Sequence, residues 1–241
     1  MEFTQLKSPS LRDLFITRLE EMILSGKIQI GEKLPPEREL AETMKVSRSV
    51  INSGMAELER KGFLEIVPRV GNFVADYRRK GNMETLISMM DYNGGKIPDD
   101  GIKSIFEVRI ALSSLAIKLV IEHATDEEIE DLGKLTENIK NAESSSAAAE
   151  ATFVFLHSAA LLSGNILIPL IFTSFKIPLK ALGERFCDLY GIEAHYENSH
   201  KLWERVAARD VDGAIEWLEY SINNSINGKT KISYWQNSVD D

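Results

Sequence analysis

Apolar positions in the first eighty residues recur at helical spacing in three stretches and give way to strand-like runs in a fourth. Over 11–26, Leu14, Phe15, Leu19, Met22 and Ile23 lie three to four apart, which predicts an amphipathic helix with Gly26 at its end. Gly31 and the Pro35-Pro36 pair then break the chain. Pro36 suits the first turn of a second helix, in which Glu37 and Glu39 meet the positive end of the dipole. Ser47 reads as the N-cap of a third helix. Its core stripe is Val50, Ile51, Met55 and Leu58, while Arg48, Ser49, Asn52 and Ser53 face the other way. Gly62 fits its stop. The run FLEIVPRVGNFVADY places two short β-prone stretches around 68–71, which predicts a hairpin.

Beyond this point the pattern changes. The triplet Arg78-Arg79-Lys80 marks a boundary, so the chain divides into 1–80 and 81–241. One more helix and a loop, DYNGGKIPDDG at 91–101, follow. From 102 to 227 the pattern is helical without strand alternation, with breaks near Thr125, 142–149, Gly164-Asn165, Gly191 and Arg209-Asp210. Six or seven helices result, enough for a bundle. ESSSAAAEA is a helix start or a loop. The expected fold is mainly α: an N-terminal winged helix-turn-helix plus a C-terminal all-α helical bundle. The tail KISYWQNSVDD, with Trp235, either docks on the bundle or is loose.

Charge sharpens the division. The net charge of −9 over 241 residues seems to disfavour nucleic acid. Yet residues 1–80 hold fourteen Lys/Arg against twelve Asp/Glu, and the remainder holds fourteen against twenty-five. Two modules with different partners are implied. A single cysteine, Cys187, excludes an intrachain disulfide and a multi-cysteine zinc site. No apolar run approaches the ~20 residues of a spanning helix, and MEFTQLKSPS lacks the basic-then-apolar pattern of a leader. No membrane partner and a cytoplasmic location are the expectation. G-x-S-x-G, P-loop, H-E-x-x-H and dinucleotide fingerprints are missing, so no catalytic residues and no cofactor are expected and the chain does not read as an enzyme.

A helix held by a turn against a second helix can enter the ~12 Å major groove. Arg48 is placed to reach guanine, and Ser49 and Asn52 share its face; Asn pairs with adenine in a bidentate way. Ser47 can hold a phosphate while capping. Arg38 reaches the groove edge, and Arg69 and Asn72 lie on the wing. The plainer alternative for any one arginine is a solvated surface charge. In the second module, Glu107 and Arg109 sit beside Phe106, Ile110, Leu112 and Leu115. Arg109 is either an anion clamp or a structural partner of a carboxylate such as Glu107. His157, in FVFLHSAALLSGN, is either a hydrogen-bonded core residue or a ligand.

Residues 11–75 resemble the winged helix-turn-helix of GntR-type bacterial transcription regulators, through LPPERELAE, VSRSV, MAELERKGFLEI and GNFV. The resemblance implies that Arg38 and Arg48 contact double-stranded DNA, with Ser47, Ser49 and Gly71 supporting. Two positions depart: Asn52 stands where the family usually has Arg, and Arg69-Val70 where it has Gly-Arg, so the operator sequence does not carry over. Residues 102–222 resemble the FCD effector domain of the FadR branch, through FEVRIALSSLAIKLVIEHAT, FLHSAALLSGNILIPLI and HKLWERVAARDVDGAIEWL. Many relatives hold a divalent metal there with one Asp and three His. Here His157 aligns with one histidine, Phe153 with the Asp, and Ser199 and Ser221 with the other two, with His200 one position off. One imidazole among Phe and Ser does not suit Zn²⁺ or Ni²⁺, and no metal is expected. The implied effector site is Arg109, Phe153, His157, Ser199 and Ser221. The implied function is a ligand-responsive regulator that binds a palindromic operator as a homodimer, its effector apolar or acyl-type, or a small organic acid. The alternatives are a DNA-binding protein without an effector and an enzyme built on the helical module.

Overall fold

The computed structural model describes residues 9–234. It divides into two compact units, Met1–Gly95 and Lys96–Asp241.

In the first unit, α1 (Leu11–Leu24) starts at a capping box in which Ser10 and Asp13 satisfy each other's backbone. Helix α2 (Glu37–Met44) follows Pro36 and ends at Lys45 in the left-handed region, φ 54°. That turn leads directly to Ser47, whose hydroxyl accepts from the Val50 amide at 3.3 Å and opens α3 (Arg48–Arg60). Gly62, at φ +78°, ends α3; a Cβ there would meet the Lys80 carbonyl at 2.5 Å. Strands β1 (Leu64–Val67) and β2 (Gly71–Val74) form the expected antiparallel hairpin, Leu64 opposite Val74 and Val67 opposite Gly71. A bridge from Lys33 to Phe73 lays the loop before α2 along its edge. Asn72 lies on this wing as expected but is buried rather than displayed, and its carbonyl accepts from the Leu34 amide in this added rung.

The core of this unit is the apolar back of α3, Ile51, Met55 and Leu58, packed with Phe15, Leu19, Ile23, Phe63 and Val74. Helix α1 crosses α3 at Gly54, where an added Cβ would lie 2.3 Å from Phe15 Cδ1. Gly54→Val is therefore expected to lower stability by about 2 kcal/mol or more, since overpacking outweighs the gain in helix propensity. The check is the denaturation midpoint of the first unit's transition. A change smaller than about 0.5 kcal/mol would mean that Phe15 swings aside freely.

The Arg-Arg-Lys triplet falls in a single turn, α4 (Tyr77–Lys80), and α5 (Met83–Tyr92) follows. The compact units part at Gly95–Lys96, fifteen residues beyond the triplet, because α5 is tied back to α3 and α1. Asn82 Nδ2 donates to the Arg60 carbonyl and Thr85 Oγ1 to that of Lys61. Lys61 Nζ pairs with the buried Glu20 at 2.8 Å, and Ser88 donates to the same carboxylate at 2.9 Å. A cation and a hydroxyl thus satisfy a carboxylate that would otherwise be costly to bury.

The second unit is an all-helical bundle: α6 (Asp99–His123), α7 (Asp126–Lys140), α8 (Ser145–Leu162), α9 (Leu167–Ser174), α10 (Lys176–Ala207) and α11 (Val211–Asn227). ESSSAAAEA proves to be a helix start, with Ser144 as N-cap. Gly191 interrupts α10 at φ 86°, ψ 160°, where the glycine break was expected. By length and composition α8 is apolar enough to cross a membrane, but its buried positions, including Ala148, Thr152, Phe155 and Leu156, pack in the bundle. Trp203 donates to the Ile129 carbonyl and lies against Gly133, where a Cβ would stand 2.2 Å from its ring. Arg209 closes the C-terminal end of α6, donating to the carbonyls of Ile121 and Ala124. After α11 the chain docks back: Ile232 is fully buried, and Tyr190 and Arg185 donate to the carbonyls of Lys231 and Ser233. Trp235 and the rest of the tail lie outside the described residues.

Candidate nucleic-acid interface and effector cavity

In the first unit the helical period sorts α3 cleanly. Ile51, Gly54, Met55 and Leu58 are buried; Ser47, Arg48, Ser49, Asn52 and Ser53 are exposed. Arg48 stands at the first helical position and forms no salt bridge with the described residues. Ser47 and Ser49 share a hydroxyl–hydroxyl hydrogen bond of 2.8 Å beside it. Asn52 is more constrained than its exposure suggests. With its amide oriented to satisfy its neighbours, the nitrogen donates to Glu37 Oε2 at 2.7 Å and to the Arg48 carbonyl at 3.0 Å. Both amide hydrogens are then engaged, so bidentate pairing with adenine requires Asn52 to release Glu37.

Arg38 lies on α2, exposed, its Nε 2.9 Å from Glu42 Oε1. An exposed pair of this kind is weak and readily exchanged for a phosphate. A shallow depression between α2 and the start of α3 brings Arg38 and Arg48 together with Lys45. Lys45 is not among the residues expected from sequence; a basic residue in the turn between the two helices was the available signal. On the hairpin, Arg69 is exposed at its tip with φ 65°. Gly71 has φ 141°, and a Cβ there would meet Lys33 Cε at 2.6 Å. The glycine thus admits Lys33, whose ammonium lies 5.8 Å from the Phe73 ring centre. Lys45 and Lys33 add two cations to the face predicted from sequence.

In the second unit, α6, α8, α10 and α11 enclose a cavity of about 50 Å³. Arg109 and His195 line it, with Ser199, Ser221, Ser225 and Asn198. Arg109 keeps part of its surface accessible, but its Nε is buried without a hydrogen-bond partner. Its guanidinium lies 5.9 Å from the Phe106 ring centre, and it pairs with no carboxylate among the described residues. Glu107 instead reaches Lys103 at 3.8 Å, which removes the structural ion pair that sequence left open. Burial pushes the guanidinium down to about 10, so it remains a cation at neutral pH. His195 is buried with Nε2 unpartnered, its ring 5.2 Å from that of Phe186. Burial first, then Arg109, holds its pKa down at about 3.

Of the residues named from sequence, the structure gathers Arg109, Ser199 and Ser221 at this cavity; it does not bring Phe153 and His157 to it. The face of α8 toward the cavity carries Phe155 and Leu156. His157 Nε2 lies 3.0 Å from Thr173 Oγ1 on α9, its ring stacks on Phe153, and Lys176 lies over Phe153. The register expected for FLHSAALLSGN is therefore one position out: Leu156, not His157, occupies the inward place. His200 is also turned away, its Nδ1 3.1 Å from Thr136 Oγ1 and its ring between Tyr196 and Trp203. His195 is absent from the sequence expectation, although His195, Ser199, Leu202 and Val206 form one buried stripe of α10 whose first two members are polar. Ser199, Ser221 and Leu156 do not form a donor set for a transition metal.

The profile described as "Bacterial regulatory proteins, gntR family" matches residues 15–74, and that of the FCD domain matches residues 104–224. The chain is similar to Rv0494, an HTH-type transcriptional regulator of Mycobacterium tuberculosis. They are 30% identical over 146 residues, 59% of each protein. It is also similar to the HTH-type transcriptional repressor NanR of Escherichia coli, 28% identical over 166 residues, 66% of this chain and 60% of NanR. The chain thus spans about three fifths of the length of these two relatives. Among solved structures it is similar to Lar, described as controlling the expression of the Listeria monocytogenes agr system, with a TM-score of 0.64. That match covers 92% of this chain and 97% of Lar at 16% identity, a likeness of fold alone.

Proposed function

Because the chain belongs to the GntR family of bacterial regulatory proteins, in the branch that carries an FCD domain, we propose that it is a ligand-responsive regulator that binds a palindromic operator as a homodimer. Both domains are those of a transcription regulator, not of an enzyme. The observation that carries the reading is α3: an apolar back locked into the first unit's core, and an exposed front that begins with an arginine pairing with no carboxylate among the described residues. Arg48 reads bases, with Ser49 beside it. Ser47, Arg38 and Lys45 hold phosphates, and Arg69 with Lys33 near Gly71 contacts the backbone from the wing.

DNA recognition belongs to the winged helix-turn-helix within residues 1–80, and effector binding and dimerisation to the helices beyond. Helix α5, past residue 80 yet hydrogen-bonded to the end of α3, belongs with the first unit. Self-association has a ready surface at the start of α9, where Ile166, just before the helix, and Leu167 and Leu170 within it are 81%, 64% and 60% exposed. A dimer matches its two recognition helices to a two-fold site. The effector enters the cavity at Arg109, His195, Ser199 and Ser221, and changes DNA affinity to the extent that it binds two arrangements unequally. Such a protein works in the cytoplasm, with DNA, a small molecule and a second copy of itself as partners.

Gel retardation of genomic fragments around its own gene, at about 50 mM salt, tests this. A discrete shifted band that weakens steeply toward about 200 mM salt is expected. Failure to retard any fragment at low salt would remove the proposal.

A further inference from the structure

Resting on the DNA reading above, we propose that Asn52 selects a cytosine in each operator half-site, its amide oxygen accepting from the exocyclic amine of the base, and that Glu37 is the positioning residue that fixes this choice.

Asn52 and Arg48 lie one helical turn apart on the exposed front of α3. Four residues of helix rise about 6 Å, so the two side chains reach bases one or two steps of ~3.4 Å apart. A free asparagine offers an amide hydrogen and an oxygen together, which matches adenine. Here the nitrogen is already taken. It donates to Glu37 Oε2 at 2.7 Å and to the Arg48 carbonyl at 3.0 Å, which engages both of its hydrogens. The oxygen is the one polar atom of the side chain left for DNA, so Asn52 meets the groove as an acceptor alone. Glu37 is the first residue of α2, where the helix dipole favours a carboxylate. The amide is thus held from α2 by that carboxylate and from α3 by the Arg48 carbonyl.

An acceptor needs a donor, and the major groove offers the amines of cytosine and adenine. Guanine shows two acceptors there, and thymine an acceptor with a methyl group. Adenine's amine stands beside N7, which would lose its water with no donor to replace it; cytosine has no such neighbour. The Glu37 carboxylate, in contact with the amide, adds negative charge that disfavours the electronegative purine edge. Adenine wins only if Asn52 lets go of Glu37. A hydrogen bond to a charged group is worth roughly as much as a bidentate base contact gains, so the exchange brings no advantage.

Selection of operators from random duplexes by the full chain tests this, with Asn52→Ala and Glu37→Ala run beside the native sequence and circular dichroism as the fold control. The native protein should enrich cytosine at least about five-fold over guanine and thymine at one position per half-site, beside or one step beyond the guanine read by Arg48. Asn52→Ala should lose that preference alone. Glu37→Ala frees the amide nitrogen, and the same position should change from cytosine to adenine, an outcome that loss of stability does not produce. A probe in the DNA works on the native protein itself: 2-pyrimidinone in place of that cytosine lacks the amine. It should weaken the native protein about five-fold and Asn52→Ala no further. Adenine, guanine, thymine or no preference at that position in the native protein, or an unchanged preference in a folded Glu37→Ala protein, would overturn the proposal. Enrichment of a guanine that is lost in Arg48→Ala, without the cytosine, removes the Asn52 assignment and leaves the regulator reading standing; no enriched site at all removes both.

Discussion

Replacing Arg48 by alanine is expected to weaken binding to the cognate operator on the order of 10²-fold while leaving the fold untouched. Arg48 is exposed and pairs with no described carboxylate, so its removal strands no buried group. Its backbone start is fixed by Ser47, not by its own side chain. A bidentate arginine–guanine contact contributes about 1–3 kcal/mol of discrimination, and a two-fold dimer makes it twice. Arg48→Lys keeps the charge but loses the planar fork, so it should retain binding to non-cognate DNA and still lose preference for the operator. Arg38→Ala should act differently, weakening all sequences alike and reducing the salt slope by about one for each phosphate no longer neutralised. Titrations against operator and scrambled duplexes, with circular dichroism as control, separate these outcomes. An Arg48→Ala protein that keeps its operator preference would place base reading elsewhere.

The second large effect is a loss of stability in mild acid that traces to His195. Its folded pKa is held down at about 3, against a reference of 6.5. Between these values the unfolded chain takes up a proton that the folded chain refuses. Stability is therefore complete above about pH 6.5 and falls as the pH drops toward 3. From pH 6.5 to 4.5 the expected loss is about 2–3 kcal/mol, because each unit corresponds to about 1.4 kcal/mol. Carboxylates held low by their partners, such as Glu57 beside Arg60 and Glu150 beside Lys176, lose their contribution only at lower pH. The window above 4.5 thus isolates the imidazole. Denaturation of the second unit at several pH values should show this slope in the native sequence and a much flatter one in His195→Leu. Parallel slopes would mean that the buried ring is not what senses acid.

Much of this architecture is legible in the chain before any coordinates. Local chemistry decides the start of α3, where one hydroxyl caps the helix and a left-handed residue ends its predecessor, so Ser47 and the stripe behind it are readable. Gly191 marks its own break. What could not be read depends on contacts between distant segments. Asn72 lies on the wing as expected, but that it is buried there, with the loop before α2 paired along its strand, could not be read. The division at Gly95 follows from Asn82 and Thr85 reaching back to carbonyls more than twenty residues away. In the bundle, an apolar helix such as α8 gives little contrast between faces, so a one-residue error of register put His157 where Leu156 stands. His195 escaped for the opposite reason: it sits in the charged-looking stretch GIEAHYENSH, and only the packing of α10 against α8, α7, α11 and α6 turns it inward.

The central contact is that of Arg48 with a base, and a chemical cycle tests it alone. An operator selected from random duplexes is rebuilt with 7-deazaguanine at each guanine in turn, which removes one acceptor and leaves pairing intact. The native protein should lose roughly ten-fold or more at one guanine per half-site, and Arg48→Ala should lose nothing further there. If both proteins lose affinity equally at every guanine, Arg48 does not read that edge and the proposed docking of α3 is wrong.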